Sequence, residues 1–247
     1  MKSKKFAVLL TALTLGVGVS FGSVSKGYAA EEEQNIDLTN PNVEKFYDEE
    51  LDAEITPFKP TEDGLVPVSE EEYKKSTDST EKENLEDEFT GITEDSQGPT
   101  ITPFADVDIR TWSYKENSAT KYYGDPIKVS GSLGCNTSTC RVDKQWQANI
   151  SKSYSVSASS EIKAINAGTS FTLTSATSSS STYSFTINKG QSGYVVFKPY
   201  KRKSTGTLTQ SSTMYGKIKS KSAYARSAIK LRTGEADGYY TFVYTKK

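Results

Sequence analysis

The sequence predicts an all-β fold, either a sandwich or an elongated antiparallel sheet, preceded by a disordered acidic segment. From about residue 105, apolar and polar residues alternate with the period of two that is typical of half-buried strands. Clusters of Gly, Asn, Asp and Ser separate the alternating segments, and no segment carries a sustained helical stripe. Charge is divided as well: residues 31–100 contain 23 acidic and 5 basic side chains, whereas residues 101–247 contain 8 acidic and 21 basic ones. We therefore expect an acidic leader followed by a basic β-domain.

Residues 1–30 have the pattern of a secretory signal peptide. A lysine-rich amino terminus precedes the apolar stretch from Phe6 to Val19, and cleavage is expected after Ala29 or Ala30. The apolar stretch is short for a bilayer core roughly 30 Å thick. The signal resembles those of Gram-positive bacterial exoproteins. We therefore expect a secreted protein that is extracellular or associated with the cell wall.

Residues 31–104 form the acidic segment, which is poor in large apolar side chains. Such a composition buries too little surface to offset chain entropy, so disorder is expected. The tetrapeptide Ile-Thr-Pro-Phe occurs twice, at 55–58 and 101–104, and proline disfavours helix in the residue before it. Two interpretations stay open. The segment is either a pro-segment that shields the basic domain as an intramolecular partner, or a solvated spacer.

The basic domain, residues 105–247, is expected to fold from many short strands. The clearest alternation runs from Trp146 to Ala158, where apolar residues share one face, interrupted by Lys152. A turn is expected at residues 204–206. Besides the alternation at 146–158, strands are predicted at Asp106–Tyr114, Pro126–Leu133, Phe171–Ala176, Tyr183–Ile187, Gly193–Pro199, Thr207–Gln210, Thr213–Lys219, Ala228–Leu231 and Gly238–Tyr244.

Cys135 and Cys140 are the two cysteines of the chain. An even number of cysteines in an exported protein indicates a disulfide, here one that closes a small loop. On the chain-entropy model, closing such a small loop adds about 2 kcal/mol to the free energy of unfolding. The disulfide is therefore expected to fix a turn and not to hold the domain together. The chain contains no histidine, and a structural zinc site needs four ligands, so neither a metal nor a cofactor is expected.

Serine and threonine make up 19 of the 37 residues between positions 151 and 187. The segment Ser151–Ser159 and the run from Phe171 to Pro199 resemble the Ser/Thr-rich strands of β-pore-forming proteins of the aerolysin and epsilon-toxin type. The resemblance implies amphipathic strands that line a membrane barrel. Lys152 argues against direct insertion, because a lysine that faces lipid at the midplane costs about 2–4 kcal/mol.

Two clusters of basic residues are candidates for binding anions. Lysines alternate at positions 217, 219 and 221, so a strand would present all three on one side, and Arg226 follows nearby. These residues either protect a sheet edge from aggregation or form a polyanion-binding surface. The expected ligands are anionic wall polymers, such as teichoic acids, or anionic lipid headgroups, whereas nucleic acid fits an exported protein poorly. The candidate residues are Lys198, Lys201, Arg202 and Lys203 in the first cluster, and Lys217, Lys219 and Lys221 in the second.

The composition does not favour catalysis. Without histidine the chain cannot form Ser-His-Asp or Cys-His sites, and it contains no phosphate-binding loop or calcium loop. A glycosidase would need two of the eight carboxylates of the domain to face each other across a cleft. The leading prediction is therefore a secreted, non-catalytic β-domain that associates with the cell envelope or its anionic polymers. The alternative is a toxin-like, membrane-active protein.

Overall fold

The computed structural model of the chain describes residues 34–61, 64–78, 93–94, 107–145, 147–178 and 182–245. The predicted signal peptide, the second Ile-Thr-Pro-Phe tetrapeptide and Trp146 lie outside the described residues.

Sixteen strands and two helices are formed by the described residues, which confirms the all-β prediction. The first strands are β1 (Gln34–Asp37), β2 (Phe46–Asp48), β3 (Ala53–Thr61), β4 (Gly64–Pro67), β5 (Thr93–Glu94), β6 (Arg110–Tyr123), β7 (Ile127–Lys128) and β8 (Leu133–Gly134). They are followed by β9 (Thr139–Gln145), β10 (Asn149–Ile150), β11 (Ser153–Tyr154), β12 (Ala176–Thr177), β13 (Thr182–Asn188), β14 (Ser192–Ser212), β15 (Gly216–Ala228) and β16 (Gly238–Tyr244). The helices are α1 (Glu70–Asp78) and α2 (Ser159–Gly168). Neither helix has the length and apolar character needed to cross a bilayer, as judged on the described residues.

Most strands belong to an eleven-stranded sheet built around β14, which is 21 residues long. Along its first half β14 pairs with β16 on one side and with β7 and β8 on the other. Along its second half it pairs with β15 and β6. All of these pairings are antiparallel. A separate three-stranded sheet has the order β1-β13-β9, and β10 pairs with β12.

The main core lies between the three-stranded sheet and one face of the first half of β14. Phe185 of β13 shares a hydrophobic cluster with Val195 and Phe197 of β14, and all three side chains are buried. The ring centroid of Phe185 lies 5.5 Å from that of Phe242 in β16. Both predicted architectures are therefore present, because this half of the protein is a sandwich and the second half of β14 extends beyond it in an elongated sheet.

Two stretches of the acidic segment, residues 34–61 and 64–78, are part of the fold, so the prediction of a disordered leader is wrong for them. β3 pairs with β16, and the register places Ile55 opposite Val243 and Phe58 opposite Tyr240. Ile55 and Phe58, the two ends of the first Ile-Thr-Pro-Phe tetrapeptide, are buried in the core. Residue 105 therefore does not separate an unfolded part of the chain from a folded one.

Helix α1 belongs to the same amino-terminal segment and covers the other face of the first half of β14. Its Tyr73 packs against Tyr239 of β16, with ring centroids 5.3 Å apart, and shares a hydrophobic cluster with Val196 of β14. The segment thus contributes to both layers that enclose the sheet.

The Ser/Thr-rich segment near residue 150 does not form the long strand that its alternation predicts. Strand geometry is limited to β10 and β11, after which the chain enters α2. Ile165 of α2 is buried in a cluster with Leu208 of β14 and Ala223 of β15. Burial of this apolar helical face overrides the local alternation, because strand preference depends strongly on context. Helix α2 consequently covers one face of the second half of β14.

Residues 204–206 do not form the predicted turn, since β14 runs through them. The register against β6 shifts between Thr205 and Gly206, which leaves Asn117 as an extra residue in β6. A Cβ atom at Gly206 would lie 2.3 Å from the carbonyl oxygen of Lys115. Glycine at this position therefore permits the close approach of the two strands.

Cys135 and Cys140 form the predicted disulfide, with their Cα atoms 5.5 Å apart. The backbone N–H of Cys135 donates to the carbonyl of Gln191 at 3.0 Å, and the N–H of Gly190 donates to the carbonyl of Cys135 at 2.8 Å. The bridged loop is thereby fastened to the turn between β13 and β14.

Candidate functional site

The second half of β14 has two faces of different character. Cross-strand partners share a face and side chains alternate along a strand, so the register assigns each residue to one of them. One face lies under α2, and we call the opposite one the open face. Its members are Thr111, Ser113, Lys115, Ser118 and Thr120 of β6, Lys201, Lys203, Thr205, Thr207, Thr209 and Ser211 of β14, and Lys217, Ser220, Ser222, Tyr224 and Arg226 of β15. Tyr122 and Ala228, the cross-strand partners of Lys201, are buried and are not counted among them.

The open face combines cations with hydroxyl groups. It carries five cations and, among the described residues, no carboxylate. Ten of its other members are Ser or Thr, and none of its members belongs to a hydrophobic cluster of the described residues. Exposure decreases from the β14–β15 turn inward: Lys115 and Lys217 are exposed, Lys203 is half-buried and Arg226 is buried.

The hydroxyl groups of the open face are ordered by contacts between strands. The Oγ atom of Ser118 and the Oγ1 atom of Thr205 lie 2.6 Å apart. Asn117, the extra residue of β6, donates from Nδ2 to Oγ1 of Thr207 at 3.4 Å. Each hydroxyl keeps further donor and acceptor capacity after one such bond. The exposed part of the face, which includes Lys115 and Ser118, therefore presents a polar, ordered surface.

Two cations of the open face flank the ring of Tyr224. The Nζ atom of Lys203 lies 5.4 Å from the ring centroid, and the Cζ atom of Arg226 lies 4.5 Å from it. Cation–π contacts of this kind help to position the two cationic groups over the ring. Ammonium, guanidinium and hydroxyl donors in this arrangement suit phosphate or carboxylate groups.

Three of the seven predicted anion-binding residues, Lys201, Lys203 and Lys217, lie on the open face. The prediction that Lys217 shares a side with Lys219 and Lys221 is wrong. The register between β14 and β15 shifts and leaves Ile218 as an extra residue, so Lys217 falls on the opposite face.

Lys198 is unsuited to binding an external anion because it is part of the folded interior. Its side chain is buried, and its Nζ atom lies 2.5 Å from Oε2 of Glu50. The same Nζ atom lies 5.7 Å from the ring centroid of Tyr73. Because Glu50 belongs to the acidic segment, this ion pair joins the acidic segment to the basic domain within the fold.

The remaining predicted residues, Arg202, Lys219 and Lys221, lie on the face covered by α2. Lys221 forms an ion pair with Glu161 of α2, with 2.8 Å between Nζ and Oε1. The Nζ atoms of Lys219 and Lys221 each lie 5.5 Å from the ring centroid of Trp112. Arg202 and Lys221 are half-buried and Lys219 is exposed, and none of the three is a member of the open face.

Sequence reasoning missed Lys115 and gave Arg226 no role. A usable signal was present, because Lys201, Lys203, Thr205, Thr207 and Thr209 occupy alternate positions of one segment. The assumed turn at 204–206 divided that segment and hid its alternation. The contribution of β6 depends on long-range pairing, which the local pattern does not reveal.

A cleft of about 640 Å³ lies beside β10 and β12 and the turn that precedes β16. Lys230 and Glu235 line it together with hydroxyl and amide side chains. Glu235 is the single carboxylate in the described lining of the cleft, whereas acid–base cleavage of glycosides uses two.

Glu116 also has a structural role that accounts for its carboxylate. It accepts hydrogen bonds from Oγ of Ser204 at 2.6 Å and from the backbone N–H of Ser170 at 3.3 Å. Burial raises the pKa of Glu116, but the hydrogen bonds from Ser170 and Ser204 bring it below its usual value. The ionised carboxylate thus ties the loop after α2 to the sheet.

These features define a class, an all-β protein with a disulfide-closed loop and a cationic, hydroxyl-rich sheet face. The chain belongs to a protein family of unknown function (DUF6060), whose model matches residues 109–247, more than half of the chain. The match includes the open face and α2 and leaves out β1 to β5. No curated protein and no solved structure matches the chain.

Proposed function

We propose that the protein is a secreted, non-catalytic β protein that binds anionic polymers of the cell envelope through its open face. The observation that carries this proposal is the exposure of Lys115 and Lys217 on a face to which β6, β14 and β15 together contribute five cations. Of the candidate ligands, wall polymers such as teichoic acids suit this face best, because they repeat an anionic group along a flexible chain.

The geometry of the sheet favours an extended ligand over a small ion. Residues on one face of a strand are about 6.6 Å apart, and neighbouring strands are about 4.8 Å apart. The exposed Lys115 and Lys217 and the half-buried Lys203 are thus distributed over a surface instead of converging on one point. Several weak, screened contacts then add up along a polymer, and binding is expected to weaken with salt.

Two observations support an extracellular location. The bond between Cys135 and Cys140 is of a kind that persists in oxidising compartments. The amino-terminal pattern of residues 1–30 is that of a secretory signal. The non-catalytic part of the proposal is supported by the structural contacts of Glu116 and Glu161 and by the lining of the cleft.

A pair of matched double variants tests the proposal. Lys115→Thr with Lys217→Thr removes two exposed cations of the open face, one from β6 and one from β15. Lys121→Thr with Lys219→Thr removes two exposed lysines from the same strands but from the other face. Both variants change the net charge equally.

The measurement is co-sedimentation of the full chain with purified cell walls at low and high salt. Taking about 1 kcal/mol for each lysine near an anionic surface, we expect the open-face variant to bind roughly thirtyfold more weakly. We expect the control variant to stay within about threefold of the wild type. Equal weakening of both variants, or binding that resists salt, would refute the proposal.

We keep, in a reduced form, the proposal that the acidic segment is an intramolecular partner that shields the basic domain. Residues 34–61 and 64–78 pack on the first half of β14, away from the open face, so they do not shield it. Shielding of the open face is thus proposed only for the other residues of the acidic segment. Adding salt to the full chain separates such shielding from a plain spacer, because relief of shielding would raise polymer binding before screening lowers it.

A second candidate function is that of a toxin-like, membrane-active protein. The lengths of β6, β14 and β15, which are 14, 21 and 13 residues, favour it together with their Ser/Thr content. The segment Ser151–Ser159, from which the resemblance was partly drawn, is not a long strand. Release of dye from anionic liposomes by the full chain would support this candidate, and intact liposomes would contradict it.

A further inference from the structure

An exposed apolar cluster lies where the three long strands end. Met214 and Tyr215 form part of the turn between β14 and β15, and Val107 and Ile109 precede β6. The N–H of Thr213 donates to the carbonyl of Ile109 at 3.1 Å, which holds the two segments side by side. The four apolar side chains are 40 to 78 % exposed. We call Val107, Ile109, Met214 and Tyr215 the apolar tip.

The apolar tip is a concentration of exposed apolar surface and not a random scatter. Seven large apolar side chains are exposed among the described residues, and four of them belong to the tip. Single exposed apolar residues are ordinary, whereas a contiguous group marks an interaction surface.

Charged residues surround the apolar tip. Lys217 is exposed, begins the open face next to the turn, and is two residues away from Tyr215. Arg110 pairs with Asp108, with 3.0 Å between Nε and Oδ2. Glu94 of β5 is opposite Lys219 in the strand register. Among the described residues, Asp108 thus has a cation beside it, and the exposed Lys217 adds positive charge next to the tip.

We propose that the apolar tip inserts into the interfacial layer of an anionic lipid bilayer. Tyrosine favours the boundary between water and hydrocarbon, and methionine, valine and isoleucine favour the acyl region beneath it. The exposed Lys217, and Lys115 on the neighbouring part of the open face, would then meet the anionic headgroups. A wall polymer is hydrophilic and offers nothing to cover these apolar side chains. The tip therefore adds a membrane contact that the proposed polymer binding does not require.

Matched variants of the full chain test this inference. Met214→Ser with Tyr215→Ser removes two tip side chains from an exposed turn. Tyr47→Ser with Val66→Ser removes two comparably exposed apolar side chains from the amino-terminal part. Partitioning is measured by co-sedimentation with vesicles of phosphatidylglycerol and phosphatidylcholine in equal parts, and with vesicles of phosphatidylcholine alone.

The wild type is expected to bind the anionic vesicles more tightly than the neutral ones. The tip variant should lose at least about tenfold in partitioning, the factor expected when large apolar side chains are removed from an apolar environment. The control variant should stay within about twofold. The tip variant should also keep its binding to purified cell walls, which separates this inference from the proposed function.

Three results would overturn the inference. The first is a wild type that does not bind anionic vesicles, and the second is an equal loss of vesicle partitioning in the tip and control variants. The third is a concentration-dependent dimer in analytical ultracentrifugation that only the tip variant abolishes, with vesicle binding unchanged. That result would assign the apolar tip to contact with a second copy of the chain.

Discussion

Replacing Glu50 by glutamine tests whether the acidic segment is an integral part of the fold. The partner of Glu50, Lys198, is 7 % exposed, and 2.5 Å separates its Nζ atom from Oε2 of Glu50. Removing one member of a fully buried ion pair costs about 3–5 kcal/mol. The carboxylate of Glu50 is 44 % exposed, so water screens part of the interaction, and glutamine still accepts a hydrogen bond. We therefore expect Glu50→Gln to lower the free energy of unfolding by about 1–2 kcal/mol.

The assay is urea denaturation of the full chain followed by circular dichroism. Glu54→Gln is the matched control, because Glu54 pairs with Lys45 at the same 2.5 Å distance but both side chains are more exposed. That change should cost less than about 1 kcal/mol. With Lys198→Met in place, the cost of Glu50→Gln should largely disappear, as in a double-mutant cycle. Equal costs for Glu50→Gln and Glu54→Gln would refute the docking of this segment.

Three further changes probe other parts of the fold. Phe58→Ala truncates a buried ring of the acidic segment and should cost about 3–5 kcal/mol in urea denaturation, whereas a cost below about 1 kcal/mol would contradict the packing of β3. Gly206→Ala places a Cβ atom 2.3 Å from the carbonyl oxygen of Lys115 and should cost at least about 2 kcal/mol, while Gly131→Ala, with no atom within 4 Å, should be nearly neutral. Burial raises the pKa of Asp237, so this group stabilises the fold below about pH 4 and the stabilisation is lost as the pH rises through the folded-state pKa. The melting temperature of Asp237→Asn should therefore rise relative to that of the wild type between about pH 3 and pH 7. Melting temperatures that change in parallel with pH would contradict this.

The strands that the sequence predicted well are those whose alternation is local and uninterrupted. Residues 193–199 and 238–244 alternate or are continuously apolar, and they form the paired centre of the sheet. The disulfide was predictable because two cysteines that follow a predicted signal peptide have few alternatives.

The amino-terminal strands were missed because composition was averaged over the whole acidic segment. In β3 the buried residues are concentrated in a few positions around Ile55 and Phe58, and the acidic residues lie mainly outside them. The burial of Ile55 and Phe58 depends on pairing with β16, which is almost two hundred residues away in the chain. The average composition of a long segment does not reveal a strand whose stabilisation comes from such a distant partner.

The composition of the open face could be predicted only in part. The alternation of Lys201, Lys203 and Thr205 is visible in the sequence, but the face to which it belongs is decided by α2 covering the other one. The position of Lys217 depends on the extra residue Ile218, and a bulge of this kind leaves no clear trace in the alternation pattern.

Lysine footprinting of the full chain with bound wall polymer tests the role of the open face most directly. Lys115 and Lys121 are exposed on β6, and Lys217 and Lys219 are exposed on β15, with one of each pair on either face. Acetylation is followed by mass spectrometry with and without purified teichoic acid. We expect the polymer to protect Lys115 and Lys217 and to leave Lys121 and Lys219 reactive. Equal protection of all four lysines, or protection of the helix-covered face alone, would contradict the account.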